Sequence, residues 1–289
     1  MKLKEIAHTD LITINDSDSI DKAISLMEEH NVRHLPVLCG ELPVGILSER
    51  DIMSAVGGLL SSDRIAETEG PAIIGPDRVA SIMTKTVHSF SPDERVETAG
   101  RAMRNEKISA APLIEDNRFV GIVTEKDFLN CYLDDRSIAP GSGWRFKKVF
   151  DHMSAHVHSL SPREPLVAGI VLMKEKRIRH LPVVDNGRLV GLVSDRDLRK
   201  AYFEQAMEQV HDLTAERRQR SGRVHLFALG DVMIEKIDSI SSTATLAEAA
   251  HDMVAFRFGS LPVIDKGEFV GIITESDLLG VLITAFDQS

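Results

Sequence analysis

The sequence predicts an α+β protein made of four tandem repeats, each with the element order β-α-β-β-α, and two observations support this fold class. First, one motif occurs four times: a glycine, two aliphatic residues, Ser or Thr, two polar residues and an aspartate. Its copies are Gly45–Asp51, Gly121–Asp127, Gly191–Asp197 and Gly271–Asp277. Second, a proline stands nine residues before each motif glycine, and a methionine stands nine residues before each proline. Such fixed spacing is the signature of a repeat protein.

Each repeat begins with a short extended piece, such as Leu11–Asn15 or Val87–Ser91, and a helix follows it. Apolar residues on this helix recur at i, i+3, i+4 and i+7, which places them on one face. They are Ile20, Ala23, Ile24 and Met27 in the first repeat and Leu246, Ala249, Ala250 and Met253 in the fourth. We expect Ser17 or Asp18 to be the N-cap of the first helix. The recurring methionines are typical of core filling rather than of a metal site.

Two apolar strands follow this helix, and a tight turn joins them. In the first repeat the strands are expected at His34–Leu38 and Pro43–Ser48. The turn is clearest at Asp185-Asn186-Gly187 and Asp265-Lys266-Gly267, which have the residue types that a tight strand reversal requires. A second helix is expected to start at each motif aspartate. In the fourth repeat it carries the apolar residues Leu278, Leu279 and Leu282.

The repeats are predicted to pair, because a unit of about 50 residues buries too little surface to be stable alone. The odd repeats contain RHLPV and an arginine before the motif aspartate, Arg50 or Arg196, whereas Lys126 and Ser276 stand at that position in the even repeats. This alternation indicates a duplicated pair. The predicted repeats cover residues 1–60, 79–135, 148–203 and 229–289, and the predicted modules cover residues 1–135 and 148–289.

Three linkers are expected between the repeats. Residues 57–78 are rich in Gly, Pro and acidic residues and are expected to form a loop, and residues 140–143 are the expected joint between the modules. Residues 201–216 have the apolar spacing of a helix, and they lead into a basic run made of Arg217, Arg218, Arg220 and Arg223. Because no aromatic residues interrupt this run, we interpret it as a solvated linker or a protein-binding face rather than a nucleic-acid site.

The composition limits the kinds of partner. Thirty-four Lys and Arg against 44 Asp and Glu give a net charge of −10, which disfavours nucleic acid and anionic membranes as general partners. No apolar run approaches the roughly 18 residues of a membrane span. Cys39 and Cys131 have no metal-binding or redox spacing, so we expect free thiols in a reducing compartment. A soluble cytoplasmic protein is therefore expected.

Catalytic and metal-binding motifs give no support for an enzyme. The sequence contains no GxSxG, P-loop or HExxH pattern, and the four repeats with their linkers use the whole chain. Three histidines have a spacing that can hold a metal on a helix: His152, His156 and His158. The alignment of the repeats predicts that the helix ends before His158, so we expect neither a metal nor a cofactor.

Two roles are open for the motif aspartate at the junction between strand and helix. It can cap the helix by accepting hydrogen bonds from the exposed backbone N–H groups. Alternatively, it can accept hydrogen bonds from the vicinal hydroxyls of a ribose, while the Ser or Thr hydroxyl and the helix N–H groups face phosphate. The residues concerned are Asp51, Asp127, Asp197 and Asp277, with Ser48, Thr124, Ser194 and Thr274.

The strand RHLPV, at Arg33–Val37 and Arg179–Val183, and the motif ending in Ser or Thr, x, x, Asp together resemble the CBS domain family. Copies of this domain fold in pairs called Bateman modules. The resemblance covers all four repeats and implies two modules packed as a flat disk, with ligand clefts between paired repeats. It also implies an adenosine derivative as ligand, with its ribose on the motif aspartates, its phosphates near the motif hydroxyls and its adenine on the extended pieces.

In similar proteins a basic pair before the central proline points toward the phosphates of the ligand. An arginine there offers a bidentate donor, and a histidine adds a charge that depends on pH. Ser109-Ala110 and Gly259-Ser260 occupy this position in the even repeats, so the prediction of phosphate contacts rests on the odd repeats. The basic residues concerned are Arg33, His34, Arg50, Arg179, His180 and Arg196.

These observations predict a non-catalytic regulatory protein that senses AMP, ADP or ATP in its clefts and acts on a regulated protein of unknown identity. The four-repeat layout is similar to the gamma subunit of the AMP-activated kinase. One alternative is a scaffold with empty clefts that binds a partner through the arginine-rich linker. Another is a sensor of S-adenosylmethionine or a cyclic dinucleotide, and the basic pairs argue mildly against the former. A homodimer remains open.

Overall fold

A computed structural model describes residues 1–52, 55, 78–133, 143–202 and 227–286. The linkers predicted over residues 57–78, 140–143 and 201–216 lie almost entirely outside these described residues. The basic run of Arg217, Arg218, Arg220 and Arg223 lies outside them completely.

Each repeat contains a helix, a two-stranded hairpin and a second helix, which confirms the predicted α+β class and element order. The first helices are Ile20–Glu29, Val96–Glu106, Leu166–Lys176 and Leu246–Ala255. The hairpins pair His34–Cys39 with Leu42–Ser48, Ala110–Glu115 with Arg118–Thr124, His180–Asp185 with Arg188–Ser194, and Ser260–Asp265 with Glu268–Thr274. The second helices comprise Glu125–Leu133, Glu275–Phe286 and the helical residues 49–52 and 195–202. None of the helices in the described part of the chain combines the length and the apolar character needed to cross a membrane.

Short elements precede the first helix of each repeat. Single turns of 3-10 helix lie at Leu3–Glu5, Trp144–Phe146 and Val149–Asp151, and short α-helices lie at Val79–Ile82 and Leu229–Val232. The strand Ile14–Asn15 follows in repeat 1 and pairs in parallel with the central strand of the same repeat, Ile14 opposite Val37. Single parallel bridges do the same in the other repeats: Phe90 with Leu113, Leu160 with Val183, and Ile240 with Val263.

Two boundaries differ from the predictions. The first helix is capped by Ser19, whose hydroxyl accepts a hydrogen bond from Lys22 N at 3.2 Å, and not by Ser17 or Asp18. Asp18 instead accepts hydrogen bonds from Asn15 N and Lys22 Nζ, and these lower the pKa of its carboxyl. The second helices begin directly after the motif hydroxyl, at Glu125 and Glu275, so each motif aspartate is the third residue of its helix.

The hairpin turns agree with the prediction. Asn186 and Gly187 have φ values of 49° and 80°, and Lys266 and Gly267 have 53° and 86°. Two consecutive residues with positive φ are the geometry of the tight turn that joins twisted antiparallel strands.

The residues before each extended piece pair with the second hairpin strand of a different repeat. His8 pairs with Ile122, Thr84 with Ile46, Ser154 with Ile272, and Ile234 with Leu192. Each crossing is held by two backbone hydrogen bonds of 2.9–3.1 Å. We call residues 2–8, 78–84, 148–154 and 228–234 the crossing segments. Repeats 1 and 2 exchange these segments with each other, and so do repeats 3 and 4.

The structure forms two compact units. The first comprises residues 1–47, 83–157 and 238–289, and the second comprises residues 48–82 and 158–237. In the first unit, Phe128, Trp144 and Leu282 belong to one large core in which the helices of repeats 2 and 4 pack together. In the second unit, Ile170 and Leu198 belong to a smaller core. The repeat and module boundaries predicted from the sequence remain predictions.

The recurring methionines are buried, as predicted. Their exposures are 0–4%, and the residues are Met27, Met103, Met173 and Met253. The apolar face predicted for the first helix of repeat 4 is also buried, since Leu246, Ala249 and Ala250 are at most 1% exposed. Helical periodicity therefore identified the core faces correctly.

Candidate functional site

The motif Ser or Thr donates to the motif aspartate at the start of each second helix, and the bond is returned in repeats 1, 3 and 4. Ser48 N and Oγ donate to Asp51 Oδ2 at 2.7 and 2.6 Å, and Asp51 N donates to Ser48 Oγ at 3.3 Å. The same two bonds to Oδ2 recur from Thr124 to Asp127, from Ser194 to Asp197 and from Thr274 to Asp277. This is a capping box with aspartate as the acidic member. The helix-capping interpretation of the motif is therefore confirmed.

The cap uses only one oxygen of the carboxylate. Among the described residues, no hydrogen bond reaches Oδ1 of Asp197 or Asp277, although an ionised carboxylate offers about four acceptor positions. The second oxygen is therefore available to an external donor while the first oxygen holds the helix. Capping and ligand binding are compatible in this geometry.

Burial makes two of these carboxylates unusually basic. The Asp127 side chain is only 3% exposed, and burial raises the pKa of its carboxyl, although the hydrogen bonds from Thr124 oppose this. Burial raises the pKa of Asp277 as well, the nearby Glu125 raises it further, and Thr274 opposes the rise. Perturbed carboxyl groups of this kind are common at ligand sites, because the site fixes a charge that solvent does not stabilise.

This burial predicts that Asp277→Asn stabilises the unliganded protein. Because the folded-state pKa is raised, the ionised carboxylate opposes folding above that pKa. Asparagine keeps an oxygen for the two Thr274 donors and carries no charge. Urea unfolding at pH 7 should show a gain of about 1 kcal/mol in the free energy of unfolding. The gain should vanish as the pH falls through the folded pKa toward the ordinary carboxyl value of about 4.

A matched variant tests whether charge is the cause. Asp277→Ala removes the charge and also the acceptor for Thr274 N and Oγ1, so it should lower the free energy of unfolding by about 1 kcal/mol at pH 7. Equal losses in the Asn and Ala variants would contradict the argument from charge burial.

The structure places the basic pair of repeat 3 beside its motif. His180 lies opposite Ser194 in the hairpin, and Arg179 O accepts a hydrogen bond from Asp195 N at 3.0 Å. In repeat 1, Arg33 and His34 belong to the first compact unit. There His34 Nε2 lies 3.4 Å from Ser109 Oγ, so the starts of the central strands of repeats 1 and 2 are neighbours.

The arginines before the motif aspartates are placed differently from each other. Arg196 Nε donates to Glu49 Oε1 at 2.9 Å, and Arg199 Nη2 donates to the same oxygen at 3.1 Å. The side chains of Glu49 and Arg199 are 3% and 1% exposed, whereas Arg50 is exposed. Arg196 therefore helps to neutralise a buried carboxylate, and phosphate contacts by Arg50 and Arg196 remain predictions.

Two members of a basic cluster near Asp127, Lys126 and Arg257, were not predicted as site residues, whereas Arg33 was. Burial lowers the pKa of Lys126, and the cations Arg257 and Arg33 lower it further, while the carboxylates Glu275 and Asp127 act in the opposite direction. These cations come from repeats 2, 4 and 1. Lys126 occupies the motif position of Arg50, so the alignment contained a signal for it. Arg257 lies in a loop and had no such signal.

In repeat 4 a buried hydroxyl, that of Ser260, stands at the position of the histidine in the basic pairs of repeats 1 and 3. Ser260 lies opposite Thr274 in the hairpin and is 4% exposed, and its Oγ has no hydrogen-bond partner among the described residues. A buried hydroxyl without a partner costs about 1–3 kcal/mol, so such atoms are rare in native structures. This residue was noted in the sequence only as a departure from the basic pair.

The histidine of the first crossing segment also reaches a motif. His8 Nε2 lies 2.9 Å from Asp127 Oδ1, although its sequence position is 119 residues away. Nothing in the sequence indicated this contact, because the exchange of crossing segments was not predicted.

The architecture and the four capped motifs define a protein of tandem repeats that exchange segments and carry a Ser or Thr and an aspartate at the start of each second helix. The chain belongs to the CBS domain family. The family model matches residues 3–58, 79–134, 149–204 and 229–284, which include all four motifs.

Similar proteins include one of matching length. Protein MJ1225 of Methanocaldococcus jannaschii is 26% identical over 281 residues, which cover 93% of this chain and 94% of that protein. Its crystal structure, described as that of a proposed archaeal homologue of g-AMPK, has a TM-score of 0.80 at 25% identity and covers 97% of this chain and 99% of that one. Protein MJ1404 of the same organism is 25% identical to this chain over 283 residues. The match covers 96% of this chain and 61% of MJ1404. A Pyrococcus horikoshii protein has a TM-score of 0.60 at 20% identity, with 98% and 100% coverage, and shares the fold.

Proposed function

We propose that this chain is a non-catalytic regulatory sensor that binds an adenine nucleotide at its motif aspartates. The observation that carries the proposal is that the two oxygens of a motif aspartate have different surroundings. Oδ2 of Asp197 and Asp277 caps the helix, and Oδ1 accepts no hydrogen bond from the residues that the structure describes. Vicinal ribose hydroxyls are donors of the right kind, and the helix N-terminus beside them favours phosphate.

The charges around the motifs suit a phosphorylated ligand. In the second compact unit, His180 lies opposite Ser194, so an imidazole accompanies a motif hydroxyl. In the first unit, the cations Arg257 and Arg33 lower the pKa of Lys126, which stands next to Asp127 in the chain. A chain with net charge −10 repels anions overall, so such local groups of cations are needed to hold a phosphate. They favour AMP, ADP or ATP over S-adenosylmethionine.

The similarity to MJ1225 supports a regulatory role. That protein is described as a proposed archaeal homologue of g-AMPK, and the two chains cover nearly all of each other. We propose that this protein senses cellular energy charge in the cytoplasm and acts on a protein whose identity is open. The nucleotide shifts the regulated state only to the extent that it prefers one arrangement of the protein over another.

The test is thermal unfolding of the purified chain with AMP, ADP, ATP, S-adenosylmethionine, cyclic di-AMP and GTP. A ligand at 100 times its dissociation constant should stabilise a singly occupied protein by about 2.7 kcal/mol. We expect the adenine nucleotides to raise the midpoint and the double variant Asp51→Asn, Asp197→Asn to reduce that shift. Asparagine is chosen because it preserves an acceptor for the cap.

Asp231→Asn is the matched control. Asp231 accepts a hydrogen bond from Ala228 N at 2.8 Å at the start of a short helix, as the motif aspartates do, but it lies outside every motif. Its substitution should leave the nucleotide shift unchanged. The absence of a shift with any adenine nucleotide would overturn the proposal and favour the scaffold with empty clefts. A shift with S-adenosylmethionine or cyclic di-AMP alone would reassign the ligand.

A further inference from the structure

The backbone of His8 is fixed against repeat 2. His8 N donates to Ile122 O, and Ile122 N donates to His8 O, both at 2.9 Å. A Cβ on Gly121 would lie only 3.2 Å from His8 O, so the glycine permits this close approach. The imidazole therefore starts from a well-defined position beside the motif.

His8 occupies the oxygen that the cap leaves available. Its Nε2 contacts Asp127 Oδ1 at 2.9 Å, while Thr124 N and Oγ1 contact Oδ2 at 2.7 and 2.8 Å. Both oxygens of Asp127 are thus engaged. The imidazole itself is 68% exposed, and its contact with the carboxylate ties its ring to the motif.

Repeat 4 provides an internal comparison. Ser154 occupies the position equivalent to His8, and its backbone exchanges hydrogen bonds with Ile272 at 2.9 and 3.0 Å in the same way. Its shorter side chain makes no hydrogen bond to Asp277 in the described structure. His152 acts on Asp277 only as a weak electrostatic influence on the carboxyl pKa. The crossing positions of the other two repeats are Thr84 and Ile234, so His8 is the one histidine among the four.

We propose that His8 is a specificity-determining residue that competes with the ligand for Asp127 and makes the repeat-2 site weaker than the repeat-4 site. This inference rests on the proposed function. A diol that binds Asp127 through Oδ1 must displace an imidazole already bound there, whereas a diol at Asp277 meets no such competitor. The four sites are consequently unequal, and the protein responds to its nucleotide over a wider concentration range than four equal sites would give.

The test isolates one site at a time. The Asp127-only background carries Asp51→Asn, Asp197→Asn and Asp277→Asn. The Asp277-only background carries Asp51→Asn, Asp197→Asn and Asp127→Asn. Isothermal titration calorimetry with AMP, ADP and ATP is performed in each background, with and without His8→Ser. We expect His8→Ser to tighten binding roughly tenfold in the Asp127-only background, the effect of removing one competing charged hydrogen bond. We expect no change in the Asp277-only background.

Two further variants complete the test. Ser154→His should weaken binding in the Asp277-only background, because it installs the competitor there. His8→Gln retains an N–H donor and should bind like the unmodified Asp127-only background. Unchanged or weaker binding after His8→Ser would overturn the inference while leaving the proposed function intact. Failure of every single-site background to bind any of the three nucleotides would overturn both.

Discussion

Replacement of Glu49 by alanine is expected to lower the free energy of unfolding by about 3–5 kcal/mol, because it removes the anion of a buried ionic cluster. Oε1 of Glu49 accepts hydrogen bonds from Arg196 and Arg199 at 2.9 and 3.1 Å, and the Glu49 and Arg199 side chains are almost fully buried. Without the carboxylate, Arg196 and Arg199 lose the anion they share, and the Arg199 side chain is only 1% exposed to water. Urea unfolding at neutral pH measures the loss.

Two controls identify the cause. The double variant Glu49→Leu, Arg199→Leu replaces the buried charges by apolar side chains and should recover most of the lost stability. Glu41→Ala removes one member of the exposed Glu41–Arg118 pair, separated by 3.6 Å, and should change stability little. A Glu49→Ala loss no larger than that of Glu41→Ala would show that the buried cluster contributes nothing.

Gly45→Ala is expected to be the second most damaging change, with a loss of about 1–3 kcal/mol in the free energy of unfolding. A Cβ at this position would lie 2.7 Å from Thr84 O, a backbone atom of a crossing segment. That segment is held in place by hydrogen bonds of 2.9 and 3.0 Å between Thr84 and Ile46, so it has little freedom to withdraw. Thermal and urea unfolding of the single variant provide the measurement.

Gly280→Ala is the matched control for this prediction. A Cβ on Gly280 would lie 3.5 Å from the flexible side chain of Arg104, which is an ordinary contact distance. Because Gly280 lies within the helix Glu275–Phe286, alanine there should raise stability by about 0.5–1 kcal/mol. If Gly45→Ala also raised stability, close approach of the crossing segment would not be the reason for the motif glycine.

The motif glycine shows how far sequence reasoning extends. Its recurrence identified the repeats, and the hydroxyl and aspartate after it predicted a helix start, which the reciprocal caps of Ser48 with Asp51 and Thr274 with Asp277 confirm. The reason for the glycine could not be predicted from the sequence. It lies in the backbone of a segment from a different repeat, and local residue patterns carry no information about that neighbour.

The residues of the candidate site were also only partly predictable from the sequence. The four aspartates were found from the motif, whereas the contact between His8 and Asp127, the placement of Arg257 and the buried Glu49 all depend on segments distant in sequence. Arg196 illustrates the limit. Its residue type suggested a phosphate ligand, yet whether a cation faces a ligand or a buried carboxylate depends on what packs against it.

The sequence by itself determined the repeat count, the order of the elements, the apolar helix faces and the positions of the motif aspartates. These properties follow from periodicities and short-range hydrogen bonding, which act within a few residues along the chain. Only the tertiary structure decided which repeats exchange segments, which carboxylates become buried and which group contacts the second oxygen of Asp127. Those outcomes depend on backbone contacts and on desolvation between residues far apart in sequence, as the 2.9 Å contact from His8 to Asp127 shows.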